Sequence, residues 1–445
     1  MPPSSSILPR TMDRTTWLDG LRGIAAAIVA TDHYFMGGVL DNAFLSFWAD
    51  PPEENRRLLQ LPPIRLLFAA HAMVPLFLVI SGYAISINLL RLRNSDDGQF
   101  IRRLSSAVSR RIFRIYLPVF VIAIISQLLY FCNIYQWNFG DEVVWGRKPW
   151  TAPWLHITYV FRYMLDITNI INFQGNPGLN GQLWTMPMEF RGSCIVYVTV
   201  LGLAFWRPQL RRIALGCLMS YWFYFGLWDV FGFLAGLYLA EMRLLSGPRA
   251  DEEPKLPYYS LGSWTSSMKS VNFSAIWSYS CFIFGIYLLC LSDDGELPPG
   301  YLFLKLVESS RWENDWAVLS KCWKTAGSVL VVYAISQLPR LQRPLTSKPM
   351  QYLGKISFSL YLVHQSVYHL VRDPVRNLLW YIATRESYPG TKDASEFTIP
   401  FAFTWLMGYM IMSMINLYAA HLYTRYVDER CVEMAKRIDK WLTRK

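Results

Sequence analysis

Charge is scarce in this sequence. Of its 445 residues, 17% are Asp, Glu, Lys or Arg, against about 25% in an average soluble domain. A water-soluble chain of this length would fold as about two to three domains and would need more polar surface than this composition offers. Cysteine is sparse too. There are seven, an odd number, with no C-x-x-C pair and no zinc-ligand spacing, which excludes a disulfide scaffold and a zinc module. A P-loop and an RNA-binding signature are also missing, so the excess of 43 basic over 32 acidic residues does not call for nucleic acid. No repeat of fixed period is visible. Hydrophobic residues, by contrast, make up 53% of the chain and aromatics 16%, which excludes general disorder. What remains is an integral membrane protein whose basic excess belongs on cytoplasmic loops.

A membrane-spanning helix needs about 20 mostly apolar residues. Ten segments qualify, near 17–37, 66–90, 112–132, 183–205, 210–225, 228–245, 273–292, 317–337, 351–371 and 399–423. The expected fold is all-α, a polytopic transmembrane helix bundle of about ten spans. Residues 1–16 then form an N-terminal tail, 17–425 one membrane domain and 426–445 a basic C-terminal tail. Alternate connections are basic, as with Arg91, Arg93, Arg102 and Arg103, and the others are acidic or mixed, as with Asp50, Glu53 and Glu54. By the positive-inside rule both termini face the cytosol. The first apolar stretch holds Asp19, Arg22, Asp32 and His33, which the core of a cleavable signal peptide would not carry. Residues 246–270, rich in Ser, Pro and charge, read as a flexible cytosolic loop, and Trp154–Phe173 as an interfacial helix. The protein is expected in an endomembrane or the plasma membrane, without a choice between them.

Ionisable groups inside membrane helices cost several kcal/mol, so each is a functional candidate. Arg22 and His33 are eleven positions apart. Eleven steps of 100° end about 20° past three full turns, so both sit on one helix face, about 16 Å apart along the axis. Asp19 lies one turn before Arg22 and is placed to orient it. Gly23, Ala25, Ala26 and Ala27 let neighbouring helices approach closely. Glu189 lies in an apolar run, with Arg191 as a nearby partner for an ion pair. Ser357, Tyr361 and His364 fall at i, i+4 and i+7, on one face. Such a stripe faces a bundle interior, as packing glue or as part of a site. No metal cluster is visible in the sequence.

The stretch Leu18-Asp-Gly-Leu-Arg22-Gly-Ile-Ala-Ala, with His33 downstream, resembles the opening of the acyltransferase 3 family of polytopic membrane O-acyltransferases. Further matches follow in order: Val74-Pro-Leu-Phe-Leu-Val-Ile-Ser81-Gly82-Tyr83, Arg110-Arg111-Ile-Phe-Arg114-Ile-Tyr116-Leu-Pro118, Gln182-Leu-Trp184-Thr-Met-Pro-Met-Glu189-Phe and Ile356-Ser357-Phe-Ser359-Leu-Tyr361-Leu-Val-His364. The resemblance implies transfer of an acyl group from CoA, or another thioester, to a hydroxyl. It implies no bound cofactor, with acyl-CoA as co-substrate. The acceptor would be a glycan, a lipid or a small metabolite, and the lipid bilayer is the other partner. It gives His33 the role of general base, which its side-chain chemistry suits, and Arg22 that of donor binding, with Arg114 and Arg111 as further phosphate ligands. Glu189 becomes an acceptor-binding or histidine-orienting carboxylate. Arg191-Gly-Ser-Cys after Glu189 departs from the family's aromatic and aliphatic continuation. A transporter is the alternative reading. It would also explain buried charge, but it calls for inverted repeats and does not need Arg22 and His33 in phase.

Overall fold

The computed structural model describes residues 15–36, 45–94, 98–171, 178–245, 273–292, 295–312 and 315–443. The loop expected at 246–270, and most of the N-terminal tail, lie outside the described residues. Among the described residues the chain is all helix and connection. α1 runs Thr16–Phe35, α2 Ala70–Arg93, α3 Phe100–Phe131, α4 Asp141–Val144 and α5 Pro153–Thr168. α6 spans Met186–Gly202, α7 Pro208–Tyr224, α8 Trp228–Leu245, α9 Phe273–Leu289 and α10 Trp316–Gln337. α11 is Pro339–Leu345, α12 Lys348–Val367, α13 Asp373–Thr384, α14 Thr391–Ala394, α15 Thr398–Tyr423 and α16 Glu429–Thr443.

Each of the ten expected segments is helical, but the expectation of about ten spans is wrong. Among the described residues, four helices are long and apolar enough to cross a membrane: α2, α3, α10 and the run Thr398–Thr443, in which α15 passes through a π turn into α16. The others fail for identifiable reasons. α6, α7 and α9 have 17 residues each, about 25 Å of helix, which is short of the ~30 Å hydrocarbon core. α1 carries Asp19, Arg22 and Asp32, α8 carries Asp229, Glu241 and Arg243, and α12 starts with Lys348 and holds Lys355. An apolar helix buried in protein and one bathed in lipid have the same composition, so counting apolar runs counted both. With that number goes the assignment of connections to alternate sides, and of both termini to the cytosol.

α1 packs against α2 and α12. It meets α12 backbone to backbone. A Cβ built on Gly23 would lie 2.6 Å from the Gly354 nitrogen, and one on Gly354 would lie 2.4 Å from the Asp19 carbonyl oxygen. Buried ion pairs tie other helices together. Arg93 of α2 and Arg211 of α7 both donate to Glu241 of α8, at 2.6 and 2.9 Å. Helix α5 begins at Pro153, where the missing N–H costs nothing, and exposes Trp154, Ile157, Phe161 and Leu165. α15 likewise turns Ile399, Leu406, Met410 and Met414 outward, an apolar stripe suited to lipid. Residues 429–443, expected as a tail, form α16, which lies along α3. There Asp439 accepts hydrogen bonds from Ser106 and Ser109 at 2.5 and 2.7 Å.

Gly23→Ala is expected to destabilise the protein by about 1–3 kcal/mol, because the backbone of α12 must shift to admit the methyl group. Gly216→Ala in α7, where a Cβ meets nothing within 4 Å, should instead be neutral or stabilising by up to about 1 kcal/mol. Thermal unfolding in detergent measures both, and equal melting temperatures would contradict the close-contact account.

Candidate active site

A cavity of about 620 Å³ opens between α1, α2, α3, α6, α12 and α16, a size within the ~300–1,000 Å³ typical of ligand sites. Its lining includes seven basic side chains against two carboxylates, Glu189 and Asp428. Val74, Phe77, Leu78, Met186 and Phe358 supply apolar wall. A concave, part-apolar site with net positive charge suits a ligand that is anionic at one end and uncharged at the other.

Arg22, Arg111 and Arg114 all line this cavity, from α1 and α3. Arg22 Nη1 donates to Asp19 Oδ1 at 3.2 Å, as the spacing predicts. Arg111 is paired with Glu189 and donates through Nε to Ser193 Oγ at 3.0 Å. Ser81 of α2 donates to the same Glu189 oxygen at 2.6 Å. Glu189 therefore links α2, α3 and α6 within the cavity. Arg191 is not its partner. It turns to Asp229 of α8, with Nη2 2.5 Å from Oδ2. Arg114 makes no hydrogen bond or ion pair among the described residues, and its charged neighbours are Arg111, Arg22 and Asp428.

The late polar stripe divides. Ser357 lines the cavity and donates to the Gly354 carbonyl oxygen at 2.9 Å. Tyr361 lines it as well, and its hydroxyl lies 2.8 Å from both Thr185 Oγ1 and the Gln182 carbonyl oxygen. His364 lies beyond Tyr361, with ring centroids 6.1 Å apart. It is fully buried and meets His33 of α1, Nε2 to Nδ1, at 3.2 Å. The cavity lining reaches neither histidine. Among the described residues no hydrogen bond joins Glu189 to His33, whose Nδ1 faces the Val29 carbonyl oxygen and His364. The histidine pair thus lies beside Tyr361, about one turn further along α12, and outside the cavity lining.

The chain matches an acyltransferase domain, that of the acyltransferase 3 family, over residues 15–422. It belongs to that family. The O-acetyltransferase PaAT-1 of Phomopsis amygdali is 26% identical over 454 residues, covering 96% of this chain and 85% of that protein. Acyltransferase R4 of Phoma sp. is 23% identical, covering 97% of each chain, and acyltransferase clz18 of Cochliobolus lunatus is 22% identical, covering 96% of each. No solved structure matches. The protein is an acyltransferase associated with membrane, acting with an acyl donor and an acceptor. The transporter alternative is set aside.

Several residues of the acyltransferase cavity carried no role in the sequence reading. Ser81 and Thr185 fell within the quoted family motifs, but nothing in the sequence gave either a role of its own. Lys355, Asp428 and Lys436 line the cavity because α12 and the π turn into α16 pass beside it, which no spacing rule reveals. Of the remaining histidines, His156 of α5 is held between Gln127 at 2.7 Å and Thr151 at 2.9 Å. Burial lowers its pKa from the ordinary value, partly offset by the Lys148 backbone. Among the described residues, no group of three His, Cys, Asp or Glu side chains is arranged to hold a metal ion.

Arg191→Met is expected to leave Asp229, 2% exposed, without its main partner, at a cost of about 3–5 kcal/mol. The double variant Arg191→Met, Asp229→Leu should recover much of that loss. Melting temperatures of the single and double variants check this, and a double variant no more stable than the single would contradict a paired role.

Proposed function

We propose that this acyltransferase moves an acyl group from acyl-CoA to a hydroxyl of a glycan, lipid or small metabolite. The observation that carries the reading is the basic cavity lined by Arg22, Arg111, Arg114 and Tyr361, with the His364–His33 pair packed beside Tyr361 outside that lining. The name of the O-acetyltransferase relative supports oxygen as the accepting atom. CoA carries phosphates at one end and the thioester at the end of an uncharged arm. Arg22, Arg111 and Arg114 would hold phosphate, where a planar guanidinium makes two parallel hydrogen bonds. Glu189 would fix Arg111, and Ser81 would hold Glu189. Their role is then to shape the donor site.

His33 would act as general base. As the acceptor oxygen attacks the thioester carbonyl, the hydroxyl proton passes to the imidazole. The new C–O bond forms, the C–S bond breaks, and the departing CoA thiolate takes the proton back. A neutral imidazole is tolerable among apolar helices, where a permanent charge is expensive, and burial lowers the His33 pKa to about 4, so the resting ring is unprotonated and free to accept a proton.

His33→Gln should insert and accumulate normally yet transfer at a rate lower by about 10²–10⁴, the usual loss for a general base. Near-normal turnover of the purified variant would end this reading. Arg114→Ala should raise KM for acyl-CoA by about 10–100-fold, the equivalent of one charge-assisted hydrogen bond of about 1.5–3 kcal/mol. Its KM for the acceptor should change little. Steady-state kinetics with each substrate varied in turn separates the two, and an equal rise in both KM values would argue against a donor-binding arginine.

A further inference from the structure

The α1–α12 crossing sets two imidazoles against each other, one from each helix. Their ring centroids are 5.0 Å apart, and His364 Nε2 lies 3.2 Å from His33 Nδ1. The protons on this pair follow from their other neighbours. His364 Nδ1 lies 3.1 Å from the Leu360 carbonyl oxygen. A carbonyl oxygen only accepts, so this nitrogen carries the proton and donates. A neutral imidazole has one N–H, so His364 Nε2 is a bare lone pair. The nitrogen opposite it, His33 Nδ1, must donate. That nitrogen also lies 2.9 Å from the Val29 carbonyl oxygen, a second acceptor. Both neighbours of His33 Nδ1 demand a proton there, and His33 Nε2 is left without one.

We propose that His364 is a positioning residue for acyl transfer, whose Nε2 lone pair holds His33 as the Nδ1–H tautomer and leaves His33 Nε2 as the proton acceptor. The proposal rests on the reading of His33 as the general base. It also gives His364 a part in the reaction coordinate. When His33 Nε2 takes the hydroxyl proton, the ring becomes a cation whose Nδ1–H still points to His364 Nε2 and the Val29 carbonyl. A hydrogen bond from a charged donor is about twice as strong as a neutral one. The contact therefore strengthens as the proton is transferred, and an interaction that grows toward the transition state lowers the barrier. Nε2 then returns the proton to the CoA sulfur, and the resting tautomer is restored. An ionised carboxylate in this position would bury a charge in the resting protein, whereas a neutral imidazole does not. Glu189 is already held by Arg111 and Ser81.

The test compares His364→Leu and His364→Gln in purified full-length protein, together with 15N NMR of the histidine-labelled chain. His364→Leu removes the acceptor. It should lower kcat by about 10–100-fold, the size of loss found when the hydrogen-bond partner behind a metal-ligating histidine is removed, with KM for acyl-CoA within about twofold. His364→Gln offers an amide oxygen in place of Nε2 and should restore most of kcat. The His33 signal, assigned by its loss in His33→Gln, should show a protonated Nδ1 and a bare Nε2 in the unsubstituted protein. An unaltered kcat in His364→Leu would overturn the proposal, as would a Gln variant no better than Leu. A His33 signal protonated at Nε2 would overturn it too, even if His364→Leu fails to fold. An active His33→Gln enzyme instead removes the general-base reading, and the NMR result still reports the tautomer on its own.

Discussion

The backbone contact between α1 and α12 is the constraint on which the rest of the structure depends. Gly23 and Gly354 leave no side chain between the two helices. That closeness sets Arg22 and Ser357 on one cavity and brings His33 within hydrogen-bonding distance of His364. A helix rises about 1.5 Å per residue, so two helices locked at one glycine contact hold residues several turns away in a fixed register. The glycines act at a distance. They lie near the arginine end, and what they position includes the histidines about two to three turns along.

Charge in this bundle does two kinds of work. Glu241 with Arg93 and Arg211, and Asp229 with Arg191, are closed pairs that tie helices together. In the cavity the balance is different. Seven basic groups face two carboxylates, and Arg114 is left without an ion pair among the described residues. Positive charge in excess inside a part-apolar cavity is stable only where a counter-charge arrives from outside. A ligand bearing phosphate answers that requirement, and family membership supplies the reason for one to be there.

Much of this was legible in the sequence, and the parts that were not share a cause. Local phase is written in one helix, so the contact of Asp19 with Arg22 was legible in their spacing, whereas the stripe of Ser357, Tyr361 and His364 divides, the first two on the cavity and His364 against His33. Partners from distant segments were not legible. Glu189 was expected beside Arg191 or His33, and its carboxylate meets Arg111 and Ser81, 78 and 108 residues away. The meeting of His33 with His364 joins residues 331 apart. The count of spans failed on a different ground. Apolar composition records that a helix avoids water, but not whether protein or lipid replaces it. α1 and α12 are buried mainly by their neighbours.

The central claim is that the donor lies in the basic cavity with its reactive end toward the histidine pair. A structure of the protein with a thioether analogue of acyl-CoA, which cannot transfer its acyl group, addresses this directly. The account predicts density for phosphate among Arg22, Arg111 and Arg114, with the arm running past Ser357 to Tyr361 and the thioether sulfur on the side of His33. Density for the analogue elsewhere, with this cavity empty, would contradict it.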